Sequence, residues 1–261
     1  MPELPEVEAY RRLAEGALHR PVARVRVGDR RFVRAGQSPA RLRRVLVGSS
    51  LSAARRKGKL LVLDIEGTPH RLGLRFGMTG RLHVDGTDGV ERLIFASDRR
   101  VRRWDRLQLD FSDGGSMVVS DPRLLGGVVL DPDEEALGPD AMAVTLAELR
   151  RALAGSSVPL KARLLDQSKL AGVGNLVGDE VLYRASLDPS RPAGSLTAAE
   201  LRRLHHHLHR TMAELLAAGG SHLGELMPER QLGGRCPRCG TELRRVTVGG
   251  RTSWWCPSHQ R

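Results

Sequence analysis

The chain has 261 residues, of which 40% are hydrophobic and 28% are charged, which is typical of a globular protein with room for two domains. It carries 42 Lys and Arg against 30 Asp and Glu, a net charge of +12, and such an excess attracts nucleic acid. A proteome rich in arginine would also give this charge. Aromatic residues make up only 3%, which argues against a single-strand binder built on stacked rings.

No apolar run reaches the length that spans a bilayer, so we expect no membrane segment. The amino terminus has neither the basic nor the apolar part of a secretory signal. We therefore expect a cytoplasmic protein, and one that associates with the nucleoid if its partner is DNA.

The first 130 residues contain short alternating or apolar segments separated by Gly, Asp and Pro. A helix over 5–18 comes first, because Val7, Tyr10 and Leu13 fall roughly on one face. The predicted strands follow it: VARVRVG, LLVLDI, RLHVDG, RLQLDF, SMVVSD and GGVVLD. This pattern predicts a β-sandwich or barrel over residues 1–130.

An acidic, turn-rich segment over 131–140 is the predicted linker. Helical periodicity dominates the next domain, 141–234, with predicted helices over 145–154, 159–167, 175–185 and 197–218. Thr197 and Glu200 have the spacing of a capping box at the start of the last helix. The fold class is therefore α+β and multidomain, with a separate small unit over 235–261.

That last unit contains all three cysteines, in the pattern Cys236-x2-Cys239, sixteen residues, Cys256-x2-His259. Two such pairs at this separation are typical of a zinc ribbon. Four protein ligands leave no open position on the metal, so the pattern predicts one structural Zn²⁺ ion per chain. The alternative is three free thiols beside an ordinary terminal histidine.

Between the two ligand pairs the sequence predicts two strands joined at Gly249-Gly250, which places Arg251 just after a tight turn. A second histidine cluster occupies the predicted helix over 197–218. There His205 and His209 have the spacing of a helical metal pair, but a solvated helix face is the interpretation we favour.

The amino terminus begins Met1-Pro2-Glu3. Removal of Met1 would expose the secondary amine of Pro2, and an α-amino group, with a pKa of about 8, is partly unprotonated at neutral pH. Such an amine can attack an acetal carbon and form an iminium ion, with the carboxylate of Glu3 as general acid or base. By itself this dipeptide is a weak signal.

Four stretches together are more specific: MPELPEVE, RRKGKLL, LDQSKLAGVGN and the terminal finger. In this order they span nearly the whole chain and resemble the formamidopyrimidine-DNA glycosylase and endonuclease VIII family. The resemblance implies an N-terminal β-sandwich with flanking helices, a helix–two-turn–helix domain and a β-hairpin zinc finger, with duplex DNA bound between domains. It implies removal of damaged, oxidised bases and cleavage of the abasic site by β- and δ-elimination through a Schiff base.

The resemblance also assigns roles to residues. Pro2 is the nucleophile on C1′, and Glu3 protonates the sugar ring as it opens. Lys59 and the finger residue Arg251 contact the phosphates beside the lesion. Asn175 contacts the DNA backbone from the helix–two-turn–helix motif, although it is also a plausible N-cap.

Further DNA-binding residues follow from the same resemblance. Met78 and Arg123 match residues that fill the hole left by the flipped base, while Leu125 stands where the family has an aromatic wedge. Arg75 replaces a histidine and is expected to keep its phosphate contact. Lys161, in the predicted helix over 159–167, is also assigned to DNA binding.

Only fifteen residues separate Gly220 from Cys236. The branch that excises 8-oxoguanine has a longer segment here, with a loop that closes over the flipped purine. We therefore expect an open pocket and regard 8-oxoguanine as a doubtful principal substrate.

The first alternative function is a specialised or monofunctional glycosylase for bulky or alkylated bases. The second is a non-catalytic module that binds DNA damage, and the third is a zinc-ribbon RNA-binding protein of the translation apparatus. One chain suffices to enclose one duplex, so we expect a monomer bound to damaged double-stranded DNA.

Overall fold

The computed structural model describes residues 2–94, 96–97 and 99–261 of the chain. It divides into two compact units, Met1–Glu134 and Glu135–Arg261. Among the described residues, none of the helices combines the length and apolar character that a bilayer-spanning segment requires.

Unit 1 begins with a helix and is otherwise built mainly from antiparallel strands. Its helices are α1 (Leu4–Ala14) and α2 (Pro39–Leu46). Its strands are β1 (Val22–Val27), β2 (Leu51–Lys57), β3 (Leu60–Ile65), β4 (Arg71–Arg75), β5 (Arg81–Val84), β6 (Thr87–Asp88), β7 (Asp105–Phe111), β8 (Ser116–Ser120) and β9 (Gly127–Leu130). Short 3-10 helices lie at Glu15–Ala17, Arg30–Phe32 and Arg102–Trp104.

The strands form two sheets around one core. One sheet has the order β1-β7-β8-β5-β6 and the other the order β2-β3-β4-β9. Inward-facing side chains of both sheets, such as Leu107 and Leu63, belong to a single buried cluster together with Tyr10 of α1. The two-layer arrangement confirms the predicted β-sandwich fold class.

Unit 2 consists of helices followed by one hairpin. Its elements are α3 (Leu146–Leu153), α4 (Leu160–Leu165), α5 (Asn175–Arg184), α6 (Ala198–Ala218), β10 (Arg244–Val248) and β11 (Arg251–Trp255). Short 3-10 helices lie at Ala193–Ser195, Ser221–Leu223 and Met227–Glu229. The predicted capping box is present, because the side chains of Thr197 and Glu200 each accept a hydrogen bond from the other residue's backbone N–H.

Several elements of unit 1 were not predicted. β2 carries the sequence LSAARRK, which has no clean apolar alternation, and β4, RLGLR, has a glycine at its centre. α2 also went unpredicted, although Ser38 caps it and Leu42 and Leu46 are buried one turn apart. The predicted helix over 5–18 is α1 continued by a short 3-10 turn.

Candidate active site and DNA-binding residues

Pro2 and Glu3 lie at the start of α1, and both are buried. The backbone N–H of Glu3 donates a hydrogen bond of 2.8 Å to the Glu6 carboxylate, and its carbonyl accepts from Val7 N–H at 3.1 Å. Pro5 occupies the first helical turn, where a missing N–H costs nothing. The residue predicted as nucleophile therefore leads directly into a fixed helix. Met1, whose removal the chemistry requires, lies outside the described residues.

An ion pair joins α1 to β2. The guanidinium of Arg56, at the end of β2, donates to the Glu8 carboxylate at 3.1 Å and to the carbonyl of Gly58 at 3.0 Å. Burial opposes ionisation of Glu8, but hydrogen bonds from Arg11 and Arg56 outweigh it and lower the pKa of this carboxyl. Sequence reasoning missed both Glu8 and Arg56.

Lys59 follows Gly58 in the two-residue turn between β2 and β3. Because the Arg56 guanidinium binds both the Glu8 carboxylate and the carbonyl of Gly58, one side chain anchors α1 and also fixes this turn. The arrangement presents Lys59, which is half-buried, on a short hairpin rather than on a long loop.

The turn that carries Met78 is also tied to α1. The Tyr10 hydroxyl donates to the carbonyl of Gly80 at 3.1 Å, and the Tyr10 and Phe76 ring centroids lie 4.4 Å apart. Gly80 N–H closes the turn on the Phe76 carbonyl at 2.8 Å. Met78 is half-buried at the tip of this turn.

A second loop, residues 121–126, carries Arg123 and Leu125. The buried carboxylate of Asp121 organises it by accepting bonds from Arg123 N–H at 3.2 Å and Gly126 N–H at 2.8 Å. Asp121 also accepts a 2.5 Å bond from the hydroxyl of Thr79, next to Met78. One carboxylate therefore joins the two loops that carry the predicted wedge residues.

The side chains of Arg123 and Leu125 face outward from this loop, whereas that of Leu124 packs against the core. Leu124 has a left-handed backbone (φ 54°), which a non-glycine residue adopts only when its neighbours hold it there. Arg123 is exposed, and Leu125 has 48% of its surface exposed, which is unusual for a leucine. Arg34 holds the loop from another side by donating to the carbonyls of Leu124 and Gly126.

The turn that carries Met78 and the 121–126 loop approach each other closely at one end of a sheet. A Cβ at Gly77 would lie 2.5 Å from the Leu125 carbonyl carbon, so only glycine fits there. Arg75 pairs with Gly127 across β4 and β9, and its side chain is exposed. Unit 1 therefore brings together Arg75, Met78 and the 121–126 loop.

In unit 2, the four predicted zinc ligands converge. One ligand atom from each of Cys236, Cys239, Cys256 and His259 lies within 4.8 Å of the others. The Cys239 and Cys256 sulfurs are 3.5 Å apart, and Cys236 Sγ is 3.4 Å from His259 Nδ1. Ligand atoms at bond lengths of about 2.3 Å for sulfur and 2.0–2.1 Å for nitrogen in a tetrahedron have such separations. The site therefore fits one structural zinc ion, as predicted.

Outer contacts fix the metal ligands. The Gln260 side chain accepts from Cys256 N–H at 2.8 Å and donates to the Leu187 carbonyl at 2.9 Å. The His259 ring packs on that of Tyr183 at 5.4 Å. Burial and a hydrogen bond to Glu225 raise the pKa of the Tyr183 phenol, which stays neutral. Such outer contacts hold metal ligands in orientation.

The finger hairpin turns where the sequence predicted. Gly249 and Gly250 both have positive φ values, 55° and 73°, the combination that tight two-residue hairpins require. Arg251 follows as the first residue of β11, paired with Val248, and its side chain is exposed.

Lys161 is not on the surface, which corrects its assignment as a DNA contact. Its side chain is fully buried, with Nζ 2.7 Å from an Asp179 carboxylate oxygen and 2.8 Å from the Ser253 hydroxyl. Nζ also donates to the Thr252 carbonyl at 3.0 Å. Lys161 therefore supports β11 directly beside Arg251, because a buried charge must be paired and hydrogen-bonded.

Asn175 is the first residue of α5, so it does not cap the helix; Gly174 holds the cap position. Its side-chain oxygen is buried, and the described part of the chain offers it no hydrogen-bond partner. Gln167 shapes the preceding turn by donating to the carbonyls of Leu165 and Val173 and accepting from Gly172 N–H. Sequence reasoning missed Gln167, although it lies within the quoted LDQSKLAGVGN stretch.

The chain matches known families along nearly its whole length. Residues 1–128 match the formamidopyrimidine-DNA glycosylase N-terminal domain, residues 136–225 match its H2TH domain, and residues 233–258 match a zinc finger found in FPG and IleRS. Formamidopyrimidine-DNA glycosylases of Paracoccus denitrificans and Parasynechococcus marenigrum are 35% and 34% identical, with full coverage of both chains.

Solved structures agree with these matches. A complex of the Lactococcus lactis Fpg with DNA containing an abasic site superposes with a TM-score of 0.84 at 26% identity, over all of both chains. A MutM complex with DNA containing carbocyclic 8-oxo-G gives a TM-score of 0.84 at 27% identity. The fold, the finger and these relatives together define a DNA glycosylase of base-excision repair. The chain belongs to the formamidopyrimidine-DNA glycosylase family.

Proposed function

We propose that this chain excises damaged bases from duplex DNA with Pro2 as the nucleophile. The observation that carries the proposal is the position of Pro2-Glu3 at the buried start of α1. The Pro2 nitrogen attacks C1′, the bond between C1′ and the base breaks, and the base leaves with a proton. Glu3 protonates the ring oxygen as the sugar opens to an iminium ion.

The iminium ion then serves as an electron sink for lyase chemistry. Loss of a proton from C2′ expels the 3′ phosphate by β-elimination, and δ-elimination expels the 5′ phosphate. Hydrolysis of the iminium returns the free amine of Pro2. Residues 1–130 form the catalytic domain in this proposal, 131–140 the linker, 141–234 the DNA-binding domain and 235–261 the finger.

Exposed or half-buried cations make the proposed contacts to the DNA backbone. Lys59 and Arg75 contribute from unit 1, and Arg251 contributes from the finger hairpin, where an arginine can hold a phosphate with two hydrogen bonds. Asn175 contributes its side-chain amide from the start of α5. Because each contact neutralises or binds phosphate, affinity should fall steeply as salt rises.

Base flipping leaves a hole in the duplex that side chains must fill. We assign this task to Met78, Arg123 and Leu125, which the two loops joined by Asp121 present. A leucine can intercalate as apolar wedges do, but it stacks less surface than an aromatic ring. Leu125 should therefore alter either lesion search or the preference for the opposite base.

The segment over residues 221–235 is short, and α5 anchors its first half. The Glu180 carboxylate accepts from Glu225 N–H at 3.1 Å and Leu226 N–H at 2.9 Å, which ties the segment to α5. It leaves little chain for a loop over a flipped purine. Oxidised pyrimidines therefore suit the site better than 8-oxoguanine, and bulky or alkylated bases remain the alternative.

A panel of lesion duplexes tests this proposal. Oxidised pyrimidines, 8-oxoguanine, a bulky adduct and a preformed abasic site are each incubated with and without borohydride. We expect base release and a covalent adduct, with the highest kcat/KM on a pyrimidine lesion. Base release without an adduct would establish the monofunctional alternative, and duplex binding with neither product would establish the non-catalytic one.

Replacing Glu3 by Gln should impair base excision more than cleavage of a preformed abasic site. A general acid contributes about 10²–10⁴-fold to a proton-transfer step such as this ring opening. The sugar of a preformed abasic site opens without loss of a base, so its cleavage depends less on Glu3. Single-turnover rates on the two substrates, measured side by side, provide the comparison. Equal losses on both would contradict the role of Glu3 in opening the sugar ring.

Replacing Lys161 by Met should weaken DNA binding without changing its salt dependence. The change breaks a buried ion pair, so we expect the free energy of unfolding to fall by about 3–5 kcal/mol. In a plot of log affinity against log salt, a lost phosphate contact would reduce the slope by about 1. Arg251→Ala is the matched control and should reduce this slope. If Lys161→Met also reduced the slope, Lys161 would be a phosphate contact after all.

The Lactococcus lactis relative was solved in complex with DNA that contains an abasic site and with DNA that contains N7-benzyl-Fapy-dG. We propose further that this chain acts as a monomer on nucleoid DNA in the cytoplasm. Its charge of +12 supports that association.

A further inference from the structure

Two histidines of α6 point at one backbone oxygen, outside the zinc finger and the proposed catalytic residues. His205 and His209 lie one helical turn apart, and their Nε2 atoms are 2.8 and 2.9 Å from the carbonyl oxygen of Val144. The two Nε2 atoms are 3.1 Å from each other. This corrects the expectation of a solvated helix face, because both rings are half-buried and turned toward Val144.

Two states of this triangle are open to the residues, one held by protons and one held by a cation. A neutral imidazole carries one N–H, and each ring has its Nε2 in the triangle. If both Nε2 atoms are protonated, the carbonyl oxygen accepts from both through its two lone pairs, although the two N–H groups then lie side by side with their nitrogens 3.1 Å apart. If one Nε2 is unprotonated, its lone pair faces the lone pairs of the Val144 carbonyl. A cation in contact with all three atoms would use the lone pairs of both unprotonated Nε2 atoms and of the carbonyl oxygen at once.

The distances also fit a metal ion. Ligand atoms bonded at about 2.1 Å and at right angles to one another are about 3.0 Å apart, as on one face of an octahedron. The three separations here are 2.8, 2.9 and 3.1 Å. Histidines four residues apart on a helix are a common metal-binding pair. The triangle therefore has the size of a facial metal site.

We propose that His205, His209 and the Val144 carbonyl bind a second metal ion, a divalent transition ion such as Ni²⁺, Cu²⁺ or Zn²⁺. Imidazole nitrogen is a preferred ligand of these ions. Three protein ligands leave the other positions to water, so the ion exchanges with solvent, unlike the zinc held by four ligands in the finger.

The consequence is structural. Val144 precedes Thr145, which caps α3, so a bound ion ties the start of α3 to the middle of α6. Anything that binds only the folded state stabilises it by mass action. The ion should therefore raise the melting temperature of the helical unit without entering the glycosylase reaction.

The test uses the full chain with its finger loaded with zinc, and Ni²⁺ as the added probe. Calorimetric titration should show one further Ni²⁺ per chain, with the finger zinc retained by elemental analysis, and thermal melts should shift upward. His205→Asn and His209→Asn should each weaken Ni²⁺ binding at least tenfold. His206→Asn, an exposed neighbour on the same helix, is the matched control and should bind like the parent.

Spectroscopy keeps the proposal testable if a variant misfolds. Cu²⁺ bound to the parent chain should give an electron paramagnetic resonance spectrum with coupling to two imidazole nitrogens. The proposal is overturned if no Ni²⁺ binds beyond the finger, if His209→Asn binds Ni²⁺ as tightly as the parent, or if the copper spectrum lacks imidazole coupling.

Discussion

Replacing Pro2 by Gly should lower the rate of base excision by more than about 100-fold and leave duplex affinity nearly unchanged. The secondary amine of proline forms an iminium ion that is always charged, whereas the primary amine of glycine forms an imine that must first be protonated. The charged intermediate through which base loss and elimination both proceed therefore forms less readily in the variant. Single-turnover excision and equilibrium binding on the same lesion duplex measure the two effects separately.

Pro5→Ala is the matched control for this variant. Pro5 lies in the first turn of α1, where alanine is equally compatible with the helix, and the residue has no proposed chemical role. It should excise at close to the parent rate. If Pro2→Gly turned over as fast as Pro5→Ala, Pro2 would have no part in the mechanism.

Breaking the zinc site should abolish specific DNA binding. Structural zinc contributes about 10–16 kcal/mol to the folding of small fingers, so Cys256→Ser should unfold the 235–261 unit and release Arg251. Removing the metal with a chelator should have the same effect. Zinc content, measured beside duplex affinity, checks the link between them.

His259→Cys provides the control, because it exchanges one accepted zinc ligand for another. This variant should keep both zinc and affinity, while Cys256→Ser loses both. A metal-free chain that bound the lesion duplex normally would show that the finger does not position a DNA contact.

The sequence predicted those parts of the fold that carry a strong local signal. The alternating or apolar strands β1, β3, β7 and β8 and the capped helix α6 lie where their sequence patterns predicted them. β2 and β4 were not predicted, since β2 mixes small and basic residues at a sheet edge and a glycine interrupts β4. Both β2 and β4 form by pairing with β3, and the periodicity of a single sequence does not reveal such pairing between strands.

In the candidate site, too, residues with a local sequence signal were predicted and residues that depend on long-range contacts were not. The zinc ligands are closely spaced in sequence, so their pattern was sufficient to find them. The supporting residues were not found, because their roles arise from long-range contacts: Arg56 binds Glu8, and Asp121 binds Thr79.

Lys161 illustrates the opposite error. A basic residue near a DNA-binding motif suggests a phosphate contact, but its partner Asp179 lies in another helix and Ser253 lies ninety-two residues away in β11. Burial and pairing decide the role of such a residue, and the sequence alone gives neither.

The mass of the covalent adduct shows which nitrogen of the chain bonds to C1′. The purified chain is trapped with borohydride on a lesion duplex, digested with protease and nuclease, and its amino-terminal peptide is weighed. We expect a peptide that begins at Pro2 and carries the reduced sugar remnant on its imino nitrogen. A chain that still carries Met1 and excises at full rate, or a remnant attached to a lysine, would contradict it.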